Sequence, residues 1–267
     1  MSNPLLQNLR LPGETVRLPS LGLFYKHGEI DTDNGEVHVY PMSAIDELTM
    51  RNISKLINGD SIIEVCANCV PAIKNPKELF SKDIDLLLLM LRKVTYGPDI
   101  TVKYTHTCQD AKEHTYTTSI DSFIQNTKYI NPTKINDSYT IVMENGQVVK
   151  LNPIKFKDVL SLMQDASINT PKIDDTNSVE FTDMQIKLQE KMIESTIKII
   201  ASVDNIDDKE MIGEWARKIP TSWFKKISNA IDDASDFGPS TSFEITCNDC
   251  GATFNIDIEL NPLTFFL

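Results

Sequence analysis

The chemistry this sequence can offer is concentrated in sulfur and imidazole. Cys247 and Cys250 are separated by two residues in FEITCNDCGATFNID, between two short alternating runs. A Cys-x-x-Cys pair at the tip of a hairpin is half of a tetrahedral zinc site. The other half is sought in VKYTHTCQDAKEHTYTTSI, where His106, Cys108 and His114 surround a polar tip. The expected set is Cys108, His114, Cys247 and Cys250, with His106 able to substitute for His114. Thiolate and imidazole donors suit zinc, and a closed set of four leaves no open position, so the expected metal is structural. The alternative is a pair of hairpins that pack through backbone pairing and apolar side chains alone. A second pair, Cys66 and Cys69 in EVCANCVP, falls at i and i+3 of an expected helix. No cysteine remains to complete a site there, so these two are expected to be buried small hydrophobes.

Other reactive constellations are hard to find. None of the four histidines lies in a His-Glu-x-x-His pattern or beside a Gly-x-Ser-x-Gly elbow, and there is no P-loop or Gly-x-Gly-x-x-Gly. The carboxylates fall in loops and on exposed helix faces, where acids are ordinarily just solvated. No catalytic residue is assigned, and a protein without enzymatic activity is expected. The 267 residues, 41% hydrophobic and 24% charged, have ordinary globular composition. A formal net charge of -12 repels phosphate backbones and anionic lipid, so neither nucleic acid nor membrane is an expected partner. The N-terminus carries no signal-peptide pattern, and the most apolar run, Ile84 to Leu91, is too short to span a bilayer. Five cysteines, an odd number, fit a reducing compartment better than a disulfide framework.

The elements that must position these residues follow from periodicity and turn chemistry. Asn34-Gly35 before the alternating Val37 and Val39 predicts a tight turn in an N-terminal β-hairpin over 16–41. Ser43 is an expected N-cap, followed by two or three short helices over 43–70, broken near Asn58-Gly59. Ser81 is expected to cap a leucine-rich helix that stops at Tyr96-Gly97-Pro98. Strands are expected at 100–107 and 114–120, then a hairpin turning at Asn145-Gly146, and a helix over 154–166. Residues 165–178 are polar and acidic and predict a linker. Thr182 with Gln185 makes a capping-box pattern, and Met184, Leu188, Met192, Thr196 and Ile200 form an apolar stripe at spacing four. Two more helices, 207–218 and 221–234, meet at Pro220. The sum is an α+β fold: an N-terminal β-hairpin with a helical core, split zinc-ribbon-like β-hairpins, and a mostly helical insert. The expected core domain is 1–121 plus 241–267, with 122–240 as a β-hairpin and helical insert.

The N-terminal half also carries an ordered set of local patterns: LPSLGLFY (18–25), VHVYPMSAIDELTMRN (37–52), LINGDSIIEVCANCVPAIKNP (56–76) and DIDLLLLMLRKVTYG (83–97). In this order, and followed by a cysteine-bearing hairpin, they resemble the small baseplate proteins of T4-type, contractile-tailed bacteriophages, hub subunits or hub assembly proteins. The resemblance covers residues 18–121 and 243–266. It implies a virion protein of the tail baseplate, assembled in the host cytoplasm, with other baseplate and hub proteins as partners and oligomeric association within the baseplate. It also marks Leu18, Pro19, Gly22, Tyr25, Pro41, Met42, Glu47, Arg92, Tyr96 and Gly97. Arg92 projects from an otherwise apolar helix and should pair with an acid such as Glu47 or meet a partner. Two apolar features suit a protein that binds proteins: the C-terminal Phe265 and Phe266, and Trp215, Trp223 and Phe224 around Pro220. Core packing is the blander role for each. Within the class, a permanent hub component competes with an assembly chaperone that leaves the particle. A zinc-ribbon adaptor or regulatory protein is the alternative class, and the acidic CNDCGATFNIDIE argues against it.

Overall fold

The computed structural model describes residues 12–106, 112–135, 139–160, 179–240, 242–247 and 250–257. The chain divides into two compact units, Met1–Ile130 with Phe237–Leu267, and Asn131–Asp236. Both contain helices and small antiparallel sheets, so the α+β class holds.

In the first unit, β1 (Glu14–Arg17) pairs with β2 (Glu36–Val39), with Glu14 opposite Val39 and Arg17 opposite Glu36. Val16, Val37 and Val39 are buried, which is the period-two pattern of a half-buried hairpin. The connection is not the tight Asn-Gly turn expected, because it spans residues 18–35. Gly35 does adopt the expected positive φ, +75°, but it lies against the backbone of Leu21 and Gly22, and its carbonyl accepts from the Leu18 N–H at 2.8 Å.

Three short helices follow, α1 (Ala44–Met50), α2 (Ile53–Ile57) and α3 (Asp60–Cys69). Ser43 is the N-cap of α1, with a full capping box: its hydroxyl accepts from the Asp46 N–H, and the Asp46 carboxylate accepts from the Ser43 N–H. Cys66 and Cys69 are buried on α3, and burial pushes the Cys66 thiol up to about 12. That is the small-hydrophobe role.

Helix α4 (Ser81–Tyr96) is the centre of this unit, with every residue from Leu86 to Leu91 buried. Ser81 is not its cap. Phe80 holds the N-cap position, without a side-chain hydrogen bond, and Asp83 of the first turn points into the core. Lys93 near the other end makes ion pairs with Glu14 and Asp121. A hairpin, β3 (Asp99–His106) and β4 (Lys112–Ser119), leads into α5 (Ile120–Gln125).

The second unit carries one strand more than expected. Strands β5 (Thr140–Val142) and β6 (Val148–Leu151) form the predicted Asn145-Gly146 hairpin. A third strand, β7 (Ile200–Val203), pairs with β6 directly after helix α6 (Val179–Ile199), with a register shift at Lys150/Leu151. The spacing-four stripe does not stay on one face. Thr196 and Ile200 are buried, but Met192 is exposed and Ile197 is buried instead. A step of four exceeds the 3.6-residue turn and drifts around the helix. Met184 and Leu188 lie outside the residues whose side chains are described, and Thr182 lies inside the helix rather than at its start. The ammonium of Lys209 donates to the carbonyls of Ile197, Lys198 and Ile200, a cation placed where the C-terminus of α6 leaves carbonyls unpaired. Helices α7 (Lys209–Lys218) and α8 (Thr221–Ala234) complete the unit. The chain then returns to the first unit as the hairpin β8 (Ser242–Thr246) and β9 (Thr253–Asp257).

Candidate functional site

Three arrangements carry the residues of interest. The first is the pair of cysteine-bearing hairpins in the first unit. In β3–β4, Tyr104 stands opposite His114 and Val102 opposite Tyr116. In β8–β9, Ile245 stands opposite Phe254 and Phe243 opposite Ile256. Across the two hairpins, Tyr104 meets Phe254 at 5.5 Å between ring centroids, and Tyr116 stacks on Phe243 at 5.5 Å. Phe243 also takes the edge of Phe123. The contact near one tip is thus with the residue near the other tip, so both tips lie at the same end. Aromatic pairs of this kind add about 0.5–1.5 kcal/mol each beyond the area they bury.

At that end, Cys247 is buried and Cys250 exposed. The Cys247 N–H donates to Ala252 at 2.8 Å, the Gly251 N–H donates back to the Cys247 carbonyl at 2.9 Å, and Gly251 has φ of +70°. This turn brings both cysteines to one tip. His114 stacks on Tyr104, 5.2 Å between centroids. Cys108 lies outside the described residues, and His106 is described only as a strand residue. Among the described residues no three His, Cys, Asp or Glu side chains converge as a metal site.

The second arrangement explains a motif. Asp83, fully buried, receives the Ser20 N–H at 2.9 Å, the Ser20 hydroxyl at 2.5 Å and the Tyr25 hydroxyl at 2.6 Å. Ser20 in turn accepts from the Gly22 N–H, and Tyr25 accepts from the Phe80 N–H at 2.9 Å while stacking on Phe80. The LPSLGLFY loop, in which Leu21, Gly22 and Phe24 all have positive φ, is therefore tied to the first turn of α4 through one carboxylate. Burial pushes the Asp83 carboxyl up to about 6, against the pull of Ser20 and Tyr25. Burial and the adjacent Asp83 also drive the Tyr25 hydroxyl far above its ordinary range. Sequence reasoning marked Tyr25 but missed Asp83 and Ser20. The available signal was faint: Asp83 precedes the leucine run together with Asp85, and nothing local separates the buried acid from the more exposed one.

The third is the face of α1 and α2. Ile45, Leu48, Ile53 and Ile57 are 70%, 69%, 62% and 50% exposed, while Met50 and Leu56 of the same helices are buried. Beside Ile45 opens a cleft of about 590 Å³, lined by Tyr40, Met42, Asp46, Asn68 and Pro71 among others. Burial pushes the Asp46 carboxyl up, but hydrogen bonds from Ser43 and Asn68 outweigh it and hold the group below the usual range, so it is ionised at neutral pH.

A family model described as T4 bacteriophage base plate protein matches residues 31–267. The chain belongs to this family. Comparison with curated proteins gave no match, and neither did comparison with solved structures. The family places the chain among phage baseplate proteins, in association with other tail proteins. The match runs through the insert, where sequence motifs were silent. It begins after LPSLGLFY, whose importance the Asp83 network supplies on physical grounds.

The remaining residues singled out from sequence have definite places in this baseplate protein. Arg92 and Glu47 both act on Tyr96, whose hydroxyl is hydrogen-bonded to Glu47. The Arg92 guanidinium lies over the Tyr96 ring at 4.7 Å. Trp215 and Trp223 sit half-buried on α7 and α8, and their indole N–H groups donate to Gln147 and Glu144 of the Asn145-Gly146 turn, each at 3.2 Å. Lys226 donates to the Val142 carbonyl beside them. Phe224 is half-buried, and Phe265 and Phe266 lie outside the described residues. No described helix is long and apolar enough to cross a membrane.

Proposed function

We propose that this baseplate protein is a non-enzymatic hub component that holds neighbouring subunits together through protein–protein contacts. The observation that carries the reading is the match to the baseplate family, joined to the ordered motifs of residues 18–97, which resemble those of hub-type proteins. The exposed aliphatic face of α1 and α2 supports it, because a large apolar surface on a folded unit marks an interaction site. Quantitative mass spectrometry of purified phage particles tests it: a hub component appears at a fixed integer ratio to the other tail proteins. Presence in infected cells but absence from particles would replace the hub reading with that of an assembly chaperone.

The proposal includes structural zinc. Cys247 and Cys250 would hold it together with Cys108 and His114 from the first hairpin. The donor set suits a closed tetrahedral site, and the common end of the two hairpins supports it. Its chemistry would be a cross-link between segments on either side of the insert. Elemental analysis of the purified chain should find about one zinc per molecule, and Cys247→Ser with Cys250→Ser should remove it and lower the melting temperature. A folded, zinc-free chain whose melting is unmoved by chelator would remove zinc from the account.

A further inference from the structure

Residues 215–226, WARKIPTSWFKK, contain Arg217, Lys218, Lys225 and Lys226 and no Asp or Glu, a local charge of +4 in a chain at -12. The stretch covers the last turn of α7, the Pro220 corner and the first turns of α8. All four cations are exposed. Among the described residues only Lys218 forms an ion pair, with Glu214 at 3.1 Å, and the two side chains are 75% and 77% exposed, so solvent screens the pair. Arg217 and Lys226 each donate to a backbone carbonyl, of Gly213 and of Val142, which leaves their charge uncancelled and further N–H donors to spare.

Two aromatic anchors stand in the same patch. Trp215 and Trp223 are half-buried, and their indole N–H groups are taken by Gln147 and Glu144. Each ring is thus fixed on the β5–β6 turn with its one polar group satisfied, and what it leaves in solvent is apolar. Lys218 lies three residues beyond Trp215 and Lys226 three beyond Trp223, so each ring shares a helix face with a cation. The exposed Val142 continues the apolar surface beside Lys226. Rings already held in place lose little freedom when a partner covers them. With Glu144 and Glu214 counted, the patch is still net positive.

The extent of the patch decides what covers it. Asp207, Asp208 and Glu210 stand at the start of α7, and Asp232 and Asp233 at the end of α8. Charges are screened beyond about 8 Å at physiological salt. A short acidic segment therefore feels the patch alone, whereas a nucleic acid, or a second copy at -12, extends over the acidic flanks and is repelled there. We infer that the α7–α8 corner docks a short segment of another tail protein, one that combines Asp or Glu with apolar side chains. This inference rests on the assembly reading above and specifies where one such contact is made.

The test places a photo-reactive benzophenone amino acid at Lys225 of the full chain during infection, and at Glu190 of α6 as an exposed control. Cross-linked products are then identified from purified particles and assembly intermediates. The expected product joins Lys225 to a peptide of another tail protein that carries Asp or Glu beside apolar residues. A product with a second copy of this chain, with nucleic acid, or with a peptide that lacks an acid overturns the inference. So does a chain present in particles or intermediates whose Lys225 yields nothing beyond the Glu190 control, and in that case the assembly reading survives. Absence of the chain from both overturns the inference and the assembly reading together. Lys218→Glu with Lys225→Glu, at exposed positions that leave the core intact, should lower incorporation by about tenfold. Changing the captured acid of the partner to Lys should restore it. Unchanged incorporation at an unchanged melting temperature, or a loss that the partner's charge reversal does not restore, also overturns the inference.

Discussion

Replacing Asp83 by Ala should destabilise the protein by about 3–4 kcal/mol, because it strands several buried donors at once. The Ser20 N–H, the Ser20 hydroxyl and the Tyr25 hydroxyl all end on this carboxylate. With Asp83 absent, the 18–35 connection keeps the contacts of Phe24 and Tyr25 with Phe80 but loses all three hydrogen bonds to the first turn of α4. The melting temperature should fall by about 10 °C. Asp83→Asn keeps an acceptor and the shape, and should cost less. The pair of variants also exposes a pH effect whose sign is fixed. The folded carboxyl titrates near 6, above its ordinary value of 3.8. Its contribution to stability is therefore fully present below pH about 4 and is lost as pH rises through about 6, a swing of ~3 kcal/mol. Asp83→Asn has no such loss, so its stability relative to the natural chain should improve between pH 4 and 7. Urea unfolding at both pH values measures this. A difference that does not change with pH would show that Asp83 is not the buried titrating group described.

Gly35→Ala should be nearly as severe. At φ of +75° any side chain is strained, and a Cβ here would come within 2.5 Å of the Leu21 carbonyl carbon and 2.9 Å of the Gly22 nitrogen. Both obstacles are backbone, so relief requires moving the loop that Asp83 holds. A loss of about 3 kcal/mol is expected. Gly28 is the control in the same connection. It also has positive φ, +86°, but nothing lies within 4 Å of its added Cβ. Gly28→Ala should cost only the intrinsic left-handed penalty of about 1–2 kcal/mol. Equal costs for the two substitutions would contradict the close packing of Gly35 on Leu21.

These two sites also show where the sequence was informative. Local devices were legible. The Ser43 N-cap, the break between α2 and α3 at Asn58-Gly59, the Asn145-Gly146 hairpin and the stop at Gly97 each depend on residues a few positions apart. Contacts between distant segments were not. Asn34-Gly35 has the residue types of a tight turn, yet its positive φ serves packing against Leu21 rather than chain reversal. Ser81 has the chemistry of a cap, but the helix is anchored instead through Asp83 to Ser20, 63 residues away in sequence. Strand β7 follows α6 without any turn residue, so IASV merged with the helical stripe. At the candidate site, cysteine spacing identified one hairpin tip. The common end of the two tips depends on Tyr104, Phe254, Tyr116 and Phe243, whose pairing no periodicity encodes. The exposure of Ile45, Leu48, Ile53 and Ile57 escaped notice because aliphatic residues on short helices read as core positions in sequence.

The most direct measurement of the central claim is the copy number of this chain in purified, mature particles, by mass spectrometry against labelled peptide standards. The account predicts a fixed integer ratio to the other tail proteins, unchanged when particles are washed in high salt. A chain abundant in infected cells but missing from particles, or present there at a variable trace level, would contradict it.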